Sequence, residues 1–467
     1  MFSGAVKLAN LDADYIAPSQ ACIKSLPETS SSTAEVAKLD IAFDGSFGHF
    51  NQIREKENKA KITLNDCLAC SGCVTSAETV LMEAQSLDSL IQVLESKDES
   101  SVICSISPQS RVTLADSFGF SNSIRFFQVF SQFLKTQRIE SIFDTTFALD
   151  IAIQESCQEF LSRFESQENL PVLSGECPGF VCYAEKTQHQ LLPLISQVKS
   201  PQQILAAIIR NKFKDRASLF HFAIMPCYDK KLEATRDDLV DLVLTTKEAF
   251  EFLSKRGFTE FIASIREEEF LEEPSLHNFD FVSQRALAPA KFNAQSGGYL
   301  EAVFRHAARK LFSVDLNPLK PLEYKVNKRN PDFQEVCLEI DGEVKLRFAI
   351  AYGFRNVQNL VRKLKTCKVS YHYVEVMACP SGCFNGGGQI LALEEQFFGE
   401  KKPISALNAH KDQVKKWQEI YHSELEYRDY QDNKVATELV TCQALELKTC
   451  FKAVEFTPTE MMLGSKW

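Results

Sequence analysis

Cys67, Cys70 and Cys73 recur at intervals of three in NDCLACSGCV, and this C-x2-C-x2-C run constrains the chain more than any other feature of its sequence. Three thiolates so close together can wrap three corners of a cubane iron-sulfur core, because small residues such as Ala69, Ser71 and Gly72 let the backbone curl around it. A bacterial ferredoxin run would continue with a fourth cysteine, but position 77 is Ala77, so the nearest outside candidate is Cys22 in PSQACIK. Zinc is the competing reading, since four thiolates also suit a tetrahedral ion, although structural zinc sites more often pair two C-x2-C knuckles.

The chain holds 15 cysteines in 467 residues, an odd and high count. Its first residues, MFSGAVKLANLDADYIAPSQ, carry no basic segment followed by an apolar one, and no run of about 18 apolar residues occurs, so neither secretion nor membrane spanning is expected. In a reducing cytosol the thiols stay unpaired, which points to metal ligation for a subset and inert burial for the rest. Lys and Arg total 52 against 62 Asp and Glu, a net charge of -10, so no overall basic field favours nucleic acid or anionic membrane. With 45% hydrophobic residues the chain can bury a large core spread over two or three domains.

The first hundred residues are polar and read as loop-rich. From Ser101 onward, short β-branched or aromatic runs alternate with helical patterns, the signature of βα units and a parallel sheet. Strands are expected at Ser101–Ile106, Pro171–Ser174, Phe220–Met225, Leu239–Thr245, Leu346–Ala351 and Tyr371–Met377. Ser200-Pro201-Gln202-Gln203 reads as a capping box opening a helix through Ile204, Ile208 and Ile209. Val357, Leu360, Val361 and Leu364 form one apolar stripe on a helix after Gly353. The acidic run from Arg266 to Glu273 reads as a solvated surface segment.

Four more cysteines sit where strands are expected to end: Cys177 in GECPGF, Cys227 in IMPCYDKK, and Cys379 with Cys383 in VMACPSGCFNGGGQ. Strand ends are where doubly wound folds place ligands. Each cysteine alone is explained as a small buried hydrophobe. Together, with Gly386, Gly387 and Gly388 giving backbone amides close access to cluster sulfurs, they point to a second cluster. Cys104, Cys157, Cys182, Cys337, Cys367, Cys442 and Cys450 read as core or incidental surface positions. The eight histidines show no zinc-enzyme spacing, and no nucleophile elbow, Walker or dinucleotide fingerprint occurs.

YHYVEVMACPSGCFNGGGQ closely resembles the third cysteine signature of iron-only hydrogenases, and IMPCYDKK resembles the second. The resemblance extends over SPQSRV, FDTTFALDIAIQE, PVLSGECPGFVCYAEK, LLPLISQVKSPQQ, VLTTKE, SGGYLEAVFRHAA and AYGFRNVQNLVRKLK, most of residues 100–430. Within that superfamily, FSGAVKLANLDADYIAPSQACIK and the upstream triplet resemble the hydrogenase-like assembly factors of the cytosolic iron-sulfur pathway, the Nar-type or prelamin-recognition-factor-like family. The resemblance implies a four-iron cluster on Cys22, Cys67, Cys70 and Cys73 and a second, buried one on Cys177, Cys227, Cys379 and Cys383 between two lobes. It also implies a late-stage adaptor or carrier, cytoplasmic and also nuclear, whose partners are the cytosolic iron-sulfur assembly and targeting complex proteins.

Hydrogenases carry a second cysteine directly before the ligand of the first signature, where it relays protons; this chain has Glu176. Ser381 stands where they usually have glycine, and Lys230, in a KK pair, reads equally as a surface charge or one that balances a cluster. Hydrogen catalysis is therefore not expected while cluster binding is. The alternatives are a hydrogenase-like redox enzyme and a nuclear prelamin-binding relative in which clusters only stabilise the fold. The expected architecture is α/β: a loop-rich cluster segment over residues 1–99, a two-lobed hydrogenase-like core of parallel sheets flanked by helices over 100–404, and a helical C-terminal region over 405–467. Trp467, in LGSKW, is expected to anchor a docking tail as readily as to fold back on the protein.

Overall fold

The computed structural model describes residues 82–96, 100–216, 218–265, 286–288, 294–366, 370–390, 404–427, 429–433, 438 and 445–454. The upstream cysteines Cys22, Cys67, Cys70 and Cys73, the run from Arg266 to Glu273, Cys367, Cys442 and Trp467 lie outside the described residues.

In chain order the first half comprises α1 (Leu87–Glu95), β1 (Ser101–Ile106), α2 (Pro108–Ser117), α3 (Ser123–Thr136), β2 (Ile139–Asp144), α4 (Thr146–Ser166) and β3 (Val172–Leu173). It continues with α5 (Pro178–Thr187), α6 (Pro201–Lys212), β4 (Leu219–Met225), α7 (Asp229–Ala234), β5 (Leu242–Thr245), α8 (Thr246–Lys255) and α9 (Phe258–Ser264). The second half holds β6 (Ala286–Ala288), α10 (Tyr299–Phe312), β7 (Lys325–Asn327), β8 (Asn330–Ile340), β9 (Glu343–Tyr352), α11 (Phe354–Lys365), β10 (Tyr373–Met377), α12 (Ile404–Glu424) and β11 (Leu425–Tyr427).

Two sheets organise these elements. The first is wholly parallel, in the order β2-β1-β4-β5. The second runs β3-β10-β9-β8-β7, parallel where β10 meets β3 and β9 and antiparallel in the β9-β8-β7 meander. Strand alternation divides the core. Ile103 of β1 and Tyr373 and Met377 of β10 face one shared cluster, which α4 and α10 fill with Phe160 and Phe304. On the opposite faces, Val102, Cys104 and Ile106 pack with Phe126 and Phe222, while Val374 and Val376 pack with Phe180 and Leu360. The sheets are thus two lobes around a common interior.

All six expected strands lie on observed ones, several with shifted ends. The helix stripe is also present: Val357, Leu360 and Val361 are buried. Only half of the capping box forms. Ser200 accepts from the Gln203 amide nitrogen, but the Gln203 side chain donates to Asp237 at 3.3 Å. Among the described residues beyond α12, β11 pairs with β6, Tyr430–Asp432 form a short helical turn, and residues 445–454 lie along the body, with Lys199 N donating to Leu447 O at 2.9 Å and Thr449 N to Gln197 O at 2.7 Å.

Candidate metal centre

The carboxyl ends of β3, β4 and β10 meet where the two sheets adjoin, and each ends in a cysteine-bearing loop. Cys177 follows β3 as the N-cap of α5, with Pro178 fixing the first helical residue. Cys227 follows β4 and Pro226, two residues before α7. Cys379 follows β10, and Cys383 opens the short helical turn beyond it. The first sheet contributes Cys227 and the second contributes the other three.

All four are free thiols and half-buried. Burial pushes the Cys177 thiol up to about 11 and Cys383 to about 12, and raises Cys227 and Cys379 well above the ordinary value. Their charges also bear on one another: Cys379 is further raised by Cys177, Cys227 and Cys383, and Cys227 by Asp229, Cys383 and Cys177. Four thiolates gathered this way are stable only beside a compensating cation. Among the described residues no three His, Cys, Asp or Glu side chains are grouped so as to hold a single metal ion.

The surrounding backbone fixes these loops. Ala378 N donates to Cys177 Sγ at 3.3 Å, and Cys383 N donates to Ser296 Oγ at 3.0 Å. Gly388 N donates to Pro226 O at 2.9 Å, tying the glycine run after Cys383 to the residue before Cys227. A Cβ on Gly386 would overlap the Pro226 carbonyl, and one on Gly388 would lie 2.8 Å from the Thr245 side chain. Ser381 has φ +58°, the left-handed region that favours glycine, and its ends are held by Asp332, which accepts from Ser381 N, and Gln418, which donates to Ser381 O.

Lys230 is not a surface residue. It is 8% exposed, and its Nζ donates to Glu233 at 2.9 Å and to the Glu176 carbonyl at 3.2 Å. Burial opposes its charge, but Glu233 and Glu176 outweigh that and hold the pKa above the usual lysine value. Burial also pushes the Glu176 carboxyl up to about 8 and Asp229 to about 7. Asp229, Ser296 and Ala378 were not singled out by sequence. Ser296 lies in SGGYLEAVFRHAA, where the family resemblance was its one signal; the Ala378 amide contact arises only from the tertiary approach of β10 to α5.

Residues 100–387 match the family described as iron only hydrogenase large subunit, C-terminal domain. The cytosolic iron-sulfur assembly component 3 of Mus musculus is 46% identical over 426 residues, covering 84% of this chain and 85% of that protein. The protein NAR1 of Arabidopsis thaliana is 39% identical over 439 residues, 87% of each. The chain belongs to the hydrogenase-like family of cytosolic iron-sulfur cluster assembly factors. A solved [FeFe]-hydrogenase superposes with a TM-score of 0.60, covering 79% of this chain and 99% of its own at 23% identity. A second, from Chlamydomonas reinhardtii, gives 0.59 over 79% of this chain and 100% of its own at 21% identity.

Proposed function

We propose that this protein is a non-enzymatic assembly factor that binds two [4Fe-4S] clusters and delivers clusters to cytosolic and nuclear apoproteins by docking with the cytosolic assembly and targeting complex. One cluster is held by Cys22, Cys67, Cys70 and Cys73, the other by Cys177, Cys227, Cys379 and Cys383. The observation that carries the reading is the convergence of four thiols, each influencing or influenced by the others, on one interior space between two sheets. A cubane spreads its thiolates over the corners of a body larger than one ion, so it does not need the close donor grouping that a single metal ion requires. When bound, the cluster supplies cationic charge and one-electron redox capacity. Ala378 and Ser296 orient Cys177 and Cys383, and Lys230 offsets the negative charge of the thiolate-bound core.

Anaerobically purified protein should hold about eight irons and eight acid-labile sulfides per chain, without stoichiometric zinc, and give two reduced paramagnetic signals. Chelator should strip the upstream cluster faster. Cys73→Ala should remove that cluster alone, whereas Cys379→Ala or Cys383→Ala should also lower the stability of the core, because a buried site lends its binding energy to folding. About four irons in the wild type, stoichiometric zinc, or equal loss of fold in all three variants would overturn this reading.

A further inference from the structure

Met82 to Gln85, which follow Cys73 by nine to twelve residues in sequence, are fastened to the core beside the cysteine loops. Met82, 1% exposed, packs with Cys182 and Leu232 and against Tyr228, the neighbour of Cys227. Gln85 is bound on three sides: its Nε2 donates to Lys231 O at 3.0 Å, its Oε1 accepts from Val243 N at 3.1 Å, and its own carbonyl accepts from Lys231 Nζ at 2.6 Å. The exchange between Gln85 and Lys231 is reciprocal, so neither segment can move without breaking both bonds.

Lys231 reaches further. It is 2% exposed, and the same ammonium donates to Glu248 Oε1 at 2.8 Å. Glu248 Oε2 accepts from Thr245 N at 2.7 Å and Thr245 Oγ1 at 2.9 Å, closing the capping box of α8. Thr245 is the residue that leaves no room for a Cβ on Gly388, and Lys247 N donates to Gly388 O at 3.0 Å. One buried ammonium therefore joins the segment leaving the upstream cysteine triplet, the helix after Cys227, and the support under the glycine run after Cys383. A buried lysine is tolerated only with its partners in place, so the three pieces hold or loosen together.

We propose that Lys231 is a positioning residue that couples residues 82–85 to the Cys227 and Cys383 loops, so that freeing this segment makes the core cluster labile. The proposal rests on the reading that the four core thiols hold a cluster.

The test uses full-length protein carrying Cys73→Ala, so that only the core cluster remains, and follows iron release to a chelator. Adding Gln85→Ala or Lys231→Met should speed release on the order of tenfold, the effect expected from losing one or two buried hydrogen bonds. Arg256→Ala, which breaks the surface pair between Arg256 and Glu95 at 2.8 Å and the contact of its guanidinium with the Phe252 ring, should leave release unchanged. Amide hydrogen exchange of 227–231 and 383–388, measured without cluster, should rise in Gln85→Ala while that of β2 does not. Release and exchange unchanged by Gln85→Ala would overturn the coupling. If the Cys73→Ala parent holds no iron, the core-cluster reading fails instead, and the exchange measurement still decides whether the latch exists.

Discussion

Glu176 carries the question of whether this fold still handles hydrogen. By sequence, a carboxylic acid with a reference pKa of about 4.3 looks too acidic to replace a thiol near about 8.5. The structure removes that objection, because burial pushes Glu176 to about 8, where it is mostly the neutral acid at neutral pH. Its Oε2 has no hydrogen-bond partner, and Lys230 donates to its backbone carbonyl. What argues against turnover is the longer side chain together with Ser381 in place of glycine, and kinship with proteins named as assembly components. We expect no hydrogen evolution from a reduced viologen dye, before or after a synthetic di-iron subsite is supplied; robust turnover in either assay would restore the hydrogenase reading. The glycines make a sharper residue-scale statement. Gly386→Ala should drive its Cβ into the Pro226 carbonyl, lowering stability by about 1–3 kcal/mol in denaturant titration and loosening the core iron. Sequence read the run as giving backbone amides access to cluster sulfurs; that Gly386 closes on the Pro226 backbone was not legible.

At the scale of elements, sequence found the strands that are mostly apolar and missed those that are only half covered. SVICSI in β1 is buried at five of its six positions and reads as a continuous run, as a central parallel strand should. NPDFQEVCLEI in β8 has only Val336 and Leu338 buried, so its charged residues hide the alternation, and the antiparallel meander at that edge went unread. His221 on β4 was likewise invisible, since nothing local marks a histidine as a core residue. It is fully buried, its Nε2 is 2.9 Å from Ser105 Oγ, and burial together with Arg210 lowers its pKa to about 3. A neutral histidine in the native state contributes stability above its unfolded pKa of about 6.5 that is lost as pH falls toward its folded one. His221→Gln, which keeps a polar partner for Ser105, should therefore flatten the fall in stability between about pH 6.5 and 3, by up to about 1.4 kcal/mol per pH unit. Parallel wild-type and variant curves of unfolding free energy against pH would show that His221 is not the titrating group.

For the whole molecule, the decisive property is that the four thiols come from both sheets, with Cys227 alone on the β4 side. Sequence could place each cysteine at a strand end; the joining of two sheets around one interior is a property of their packing, and no local pattern states it. The lobes do not depend on the centre to be folded, since Ile103, Phe160, Phe304, Phe348 and Tyr373 already unite them in one buried cluster. A core cluster should then act as a ligand that binds the native state and not the unfolded one, raising thermal stability without creating the fold. Two consequences distinguish this from a purely local role. Stripping iron from the wild type should lower its melting midpoint while leaving far-ultraviolet circular dichroism unchanged. Cys227→Ala should melt near the stripped wild type, and no longer respond to chelator at the core transition, even though three thiols of the second sheet remain. If Cys227→Ala keeps both its core iron and the wild-type midpoint, the centre belongs to the second sheet alone and does not fasten the lobes together.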